Sequence, residues 1–170
     1  MLRPTASASE REDREFGSRA EDHRALRLWL RLLTCTHLIE GQVRSRLRER
    51  FATTLPRFDL MSQLERYPAG LKMNELSRRM MVTGGNVTGI VDQLAKEGMV
   101  ERLADPSDRR AQRVRLTRAG ERVFADMARA HEEWIVATLS GLNRREHAEL
   151  FRLLAKVKQN AIANIEKGAT

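Results

Sequence analysis

The amino-acid sequence predicts a mainly α protein with one small β-hairpin. Apolar residues recur at three- and four-residue spacing along most of the chain, the period of helices with one buried face. The composition is 41% hydrophobic, 32% charged and only 5% aromatic, with Ala, Leu, Glu and Arg dominant, a mix typical of helix-rich proteins. Apolar–polar alternation is confined to two short runs, "MVERL" and "QRVRLT", on either side of the turn signal "ADPSDRRAQ".

The bulk numbers bound the function. A chain of 170 residues is one domain with extensions, or one domain whose long helices pair with a second copy. A net charge of +8 and a pI of about 10.7, carried mostly by arginine, point to a polyanionic partner, with nucleic acid first. Cys35 is the single cysteine, which excludes an internal disulfide framework and a Cys-rich zinc site. The four histidines are scattered, and "HEEW" lacks the second histidine of a zincin, so no metal and no cofactor are expected. No nucleophile–base pair or paired carboxylates emerge, which speaks against an enzyme. No apolar run approaches the ~20 residues of a membrane span. The first residues lack the apolar core of a secretory signal, and a cytoplasmic protein is expected.

Residues 1–22 are acids, arginines and small residues, with Leu2 and Phe16 the sizeable apolar groups, and are expected to form a flexible tail. A domain is expected over 23–165. Leu28, Leu32, Cys35, Ile39, Val43, Leu47 and Phe51 mark a long amphipathic helix over about 24–51, whose second half, "RSRLRER", is basic. "TLPRFDLMSQLERYPAG" reads as a short helix entered at Pro56, presenting Phe58, Leu60, Met61 and Leu64, and stopped at Pro68 and Gly70. "NELSRRMMV" is another short helix, with Asn74 as its candidate cap and Leu76 and Met80 packing inward. Two short helices with a tight link before a third suggest a helix-turn-helix over about 73–98.

The third helix opens on "VTGGNVTGIVDQLAKEG". Val87, Ile90, Val91 and Leu94 form one apolar stripe, Thr83 is placed to cap the start, and Gly98 fits the position that ends the helix. Gly84, Gly85 and Gly89 do not form a phosphate loop, because the preceding strand and the G-x-G-x-x-G or Lys-Ser/Thr spacing are missing. They open a helix whose N-terminal N–H groups favour an anion such as a DNA phosphate. Asn86, Thr88, Gly89, Asp92, Gln93 and Lys96 occupy its opposite face. The hairpin follows over about 99–117. From Arg109 to Arg118 it carries five arginines and no acid, the composition of a basic wing that follows a DNA backbone or enters a minor groove.

Thr117 caps an expected helix through Phe124, Met127, His131, Trp134, Ile135 and Leu139. "LNRRE" supplies Asn143 and Glu146 as a capping box for a last helix presenting Leu150, Leu153, Leu154, Val157 and Ile162. Helices so apolar at both chain ends, about 24–51 and 118–165, are expected to interleave with a twin subunit in a two-fold homodimer.

The run "NELSRRMMVTGGNVTGIVDQLAKEGMVERLADPSDRRAQRVRLTRAG" resembles the core of the MarR family of bacterial transcriptional regulators. The motifs that carry the resemblance are "VTxxVDxLxxxGxVxR", here "VTGIVDQLAKEGMVER", and "DPxDRRxxxVxLTxxG", here "DPSDRRAQRVRLTRAG". The resemblance extends to the order of elements from about Arg24 to Ile162. It implies a homodimer of winged helix-turn-helix lobes that binds palindromic operators in double-stranded DNA, usually as a repressor released by a small-molecule effector.

Residue by residue, it implies contacts to bases or phosphates from Thr83, Asn86 and Thr88 at the helix start around Gly84 and Gly85. Arg110 matches the wing arginine that enters the minor groove. Asp108 is the acid that braces it, and Arg109 is a backbone contact nearby. Gln93 and Arg113 complete the expected DNA-binding set. The sequence departs from the family at Gly89, where many members carry a long side chain. Trp29, His37, Phe58 and Met61 are candidates for an apolar effector slot, with Arg44, Arg46, Arg48 and Arg50 at its mouth. Within the family the likeness is to repressors of aromatic-acid breakdown, which implies an aromatic acid or its coenzyme A thioester as effector. An architectural DNA-binder without operator preference, and a redox sensor acting through Cys35, are the alternative functions. The place of Cys35 on the apolar stripe favours a buried thiol over a sensor.

Overall fold

A computed structural model describes residues 23–105 and 112–168; the expected tail and the hairpin tip with Asp108, Arg109 and Arg110 lie outside the described residues. The chain divides into two compact units, residues 1–42 and 43–170. Helix α1, Arg24–Phe51, begins in the first unit, where Leu26, Leu28, Trp29 and Leu38 are exposed. Only Val43 and Leu47, in the second unit, are buried along it. Cys35, expected to be buried on the stripe, is exposed in the single chain.

The second unit is built on α2 (Leu55–Glu65), β1 (Leu71–Lys72), α3 (Met73–Met80), α4 (Gly84–Lys96), β2 (Val100–Ala104), β3 (Gln112–Leu116), α5 (Arg118–Leu139) and α6 (Arg144–Gly168). Pro56 stands in the first turn of α2, where its missing N–H is not needed. The sheet has three antiparallel strands in the order β1-β3-β2, with Leu71 opposite Val114 and Arg102 opposite the same residue from the other side. The sequence predicts only the β2–β3 hairpin. A strand of two residues has no alternation to read, and β1 exists through its pairing with β3.

The core lies where α2, α3, α4 and the sheet meet. Leu47, Leu60, Met61, Leu64, Leu76, Val87, Val91, Leu94 and Val114 are each at most 2% exposed. Fully burying one such side chain stabilises the fold by about 1.5–3 kcal/mol. Helix α6 is different: every described side chain along it is exposed, although Leu150, Leu153, Leu154, Val157 and Ile162 share an apolar face.

Caps fix the helix ends. Lys72, rather than Asn74, precedes the first turn of α3, and the Glu75 carboxylate accepts from its N–H at 2.8 Å. Asn143 and Glu146 form the expected capping box, Asn143 Oδ1 accepting from Glu146 N at 3.1 Å and Glu146 Oε2 from Asn143 N at 2.9 Å. Helix α4 ends at Gly98 with φ +71°, Gly98 N donating to Ala95 O at 3.0 Å and Met99 N to Leu94 O at 2.9 Å. This is the paired bonding of a Schellman stop, which needs a left-handed residue.

The same turn receives the start of α5. Thr117 Oγ1 donates to Gly98 O at 2.6 Å and accepts from Gly120 N at 3.0 Å, so one hydroxyl caps α5 and ties it to the end of α4. A Cβ at Gly120 would stand 2.0 Å from the Met99 carbonyl oxygen. No other residue fits there.

Candidate nucleic-acid interface

Helices α3 and α4 are joined by a turn held from within. Met81 has φ +54°, Met81 N donates to Arg78 O at 3.3 Å and Val82 N to Ser77 O at 3.2 Å. Ser77 Oγ donates to Val82 O at 2.6 Å and closes the turn. Val82 hands the chain to Thr83, which occupies the N-cap position of α4 in extended backbone. Its hydroxyl makes no capping bond, so the first N–H groups of α4 take no partner from that side chain.

Helix α4 buries Val87, Ile90, Val91 and Leu94 against the core, as the stripe predicts. That rotation leaves Thr83, Gly84, Gly85, Asn86, Thr88, Gly89 and Gln93 exposed. Thr88 Oγ1 donates back to Gly84 O at 3.0 Å, a bond within the helix. A Cβ built at Gly84, Gly85 or Gly89 meets nothing within 4 Å. The fold itself therefore has no steric need for these glycines, in contrast to Gly120, and each interior one lowers helix propensity by up to ~1 kcal/mol.

Two ion pairs hold the far end of α4. Arg102 Nη2 on β2 bonds Asp92 Oδ1, and Arg57 on α2 bonds Glu97. Neither Asp92 nor Arg102 stands out to a search for DNA contacts in the sequence; their pairing depends on the register of β2 beside α4.

The base of the hairpin carries a buried charge. The Asp105 side chain is fully buried, with Arg113 Nε at 2.6 Å and Lys72 Nζ at 3.4 Å. Arg113 also donates through Nη1 to Gly70 O at 3.2 Å. Arg113, expected among the DNA contacts, is thus engaged with the strand base. A buried carboxylate holding two cations resists loss of either partner, because an unpaired charge would remain. The Asp-Pro turn signal marks Asp105, but its burial follows from β1, which the sequence does not announce. Arg115 Nε donates to Glu101 Oε1 at 2.8 Å across the β2–β3 register.

The candidate effector residues divide between the two units. Trp29 and His37 are exposed on the first part of α1, Arg44, Arg48 and Arg50 are exposed, and Arg46 is half-buried with its guanidinium 5.8 Å from the Trp134 ring centroid. Phe58 and Met61 are buried in the core of the second unit. The Phe58 ring lies 5.5 Å from Phe124 and 4.9 Å from His131, and burial lowers the His131 pKa from its ordinary value. Among the described residues no group of three His, Cys, Asp or Glu is placed to hold a metal ion, and no helix is long and apolar enough to cross a membrane.

A turn-linked helix pair with an exposed second helix, backed by a three-stranded sheet, is a winged helix-turn-helix. Residues 53–111 match the model of the MarR family. This region is similar to the MarR family and has the winged-helix fold. The chain is 29% identical over 109 residues, 64% of its length and 73% of the relative's, to the HTH-type transcriptional regulator YsmB of Bacillus subtilis. Among solved structures it is similar to a MarR-family transcriptional regulator from Silicibacter pomeroyi, with a TM-score of 0.67, 29% identity, and coverage of 92% of this chain and 99% of that one. It shares its fold with the MepR–DNA complex of S. aureus, with a TM-score of 0.67, 20% identity, and coverage of 76% and 94% of the two chains.

Proposed function

We propose that this chain is a DNA-binding transcriptional regulator, working as a homodimer on a palindromic operator as a repressor released by a small ligand. One observation carries the DNA-binding reading. The MarR-family winged helix presents a helix face with three glycines whose missing side chains meet nothing in the protein, in a chain of net charge +8. Such a face leaves room for a close backbone approach to a partner, and a helix N-terminus with basic surroundings suits phosphate. Thr83, Asn86, Thr88 and Gln93 are the contacts proposed for the major groove. Arg110, braced by Asp108 and flanked by Arg109, is the one proposed for the minor groove.

The dimer is supported by the exposed apolar residues of α1 and of α6, each of which lacks cover in the single chain. The aromatic acid or thioester effector rests on the family likeness of the sequence, with Arg44 and Arg46 as the anion-binding groups. Selection of bound duplexes from a genomic fragment pool, followed by titration at several salt concentrations, tests the function. A regulator enriches one palindromic sequence and prefers it at physiological salt. Equal binding to all fragments would support an architectural role, and no binding would reject DNA as the partner.

A further inference from the structure

We propose that Arg102, reaching from β2, reads a guanine beside the gap at Gly89, and that Asp92 is the residue that positions it. The inference rests on the DNA-binding reading of α4 and deepens it. Gly89 and Asp92 stand three residues apart on α4, adjacent on one face of the helix. A side chain at Gly89 would enter open space, so the fold leaves a vacant strip there. Arg102 Nη2 bonds Asp92 Oδ1, one helical turn on from Gly89, with the arginine and aspartate side chains 34% and 47% exposed.

An arginine held at one nitrogen by a carboxylate can still offer its other donors, from a position that the contact restricts. A guanidinium fork matches the O6 and N7 acceptors of guanine. The carboxylate also needs this partner, since an unpaired aspartate on a helix facing phosphates would repel them.

Selection from a randomised duplex pool with the full chain, wild type and Arg102→Ala in parallel, tests this. The wild type is expected to enrich a motif with a guanine preference in each half-site, and Arg102→Ala to lose that preference and bind the selected site about tenfold or more weakly. Arg102→Lys keeps charge without the fork and is expected to lose the same preference. Asp92→Asn is expected to relax it while keeping affinity for random DNA. Thermal melts show whether each variant is folded, and Arg102→Lys decides the matter where Arg102→Ala is not. If folded Arg102→Lys enriches the wild-type motif with unchanged affinity, the assignment is overturned while the regulator reading stands. A uniform loss on all sequences places Arg102 on phosphate and overturns the base reading. If the wild type enriches no motif, the regulator reading falls and this inference with it.

Discussion

Gly89→Ala and Gly120→Ala make the same chemical change in two helices and are expected to act in opposite directions on stability. At Gly89, in the interior of α4, the added methyl meets nothing within 4 Å. The substitution removes the backbone entropy cost of glycine and is expected to stabilise by up to ~1 kcal/mol, raising the melting temperature of a chain this size by roughly 2–4 °C. At Gly120 the methyl would lie 2.0 Å from the Met99 carbonyl oxygen, and the neighbours are backbone that cannot swing away. Thr117 N also donates to that oxygen at 3.0 Å, so moving it strains the α5 cap. Overpacking of this kind costs about 1–3 kcal/mol. Urea unfolding followed by circular dichroism, at one fixed protein concentration, measures both. A destabilised Gly89→Ala protein would show that the exposed face of α4 is packed against something, and an unchanged Gly120→Ala protein would refute the close approach. Gel shifts add the functional arm. Gly89→Arg is expected to raise affinity for random DNA if a gap exists above the groove, and a loss on operator and random DNA alike rejects the gap.

Light scattering at micromolar concentration is expected to give a dimer, and a folded monomer would remove the proposed role of α6. Arg110→Ala is expected to weaken operator binding by roughly 1–3 kcal/mol without loss of folding; an unchanged titration would dismiss the minor-groove contact. Aromatic acids or their thioesters are expected to displace operator DNA, with at least ~1.4 kcal/mol of preference for the non-binding conformation per tenfold release. If neither class displaces DNA at millimolar acid or micromolar thioester, the effector assignment fails. Burial depresses the His131 pKa, so the folded state favours the neutral ring. The corresponding stability is fully present above the unfolded value of about 6.5 and is lost as pH falls through the lowered folded value. Melts from pH 7.5 downward are expected to show a decline that His131→Phe reduces; equal declines would contradict the linkage.

The helices were legible because their signals are local. The stripe of Val87, Ile90, Val91 and Leu94 fixes the rotation of α4, and Gly98 and Asn143 mark boundaries through their own chemistry. The Asn74 cap is displaced to Lys72 because the Glu75 carboxylate, not an N-cap side chain, satisfies the start of α3. Non-local features were hidden. Strand β1 is defined by its partner β3, and the buried Asp105 by residues that β1 brings to it. The candidate site divides in the same way. Exposure of Asn86, Thr88 and Gln93 follows from helix periodicity, whereas the Asp92–Arg102 pair requires the register of another element.

That pairing belongs to a wider arrangement. Between Asp92 and Asp105 the chain carries four carboxylates, in the region proposed to approach a polyanion, and each bonds a cation. Asp92 bonds Arg102, Glu97 bonds Arg57, Glu101 bonds Arg115, and Asp105 holds Arg113 with Lys72 beside it. At the surface such a pair stabilises by at most ~1 kcal/mol, so stability is a weak reason for the three exposed pairs, whereas the buried Asp105 needs its cations. Their stronger consequence is electrostatic. Each pair cancels an acid that would repel phosphate and fixes the direction of a guanidinium. The cations left for the proposed DNA partner are then chosen by geometry and not by number. The winged helix can consequently carry acids for its own strand and helix contacts while the chain keeps the net positive charge on which the proposed attraction to DNA rests.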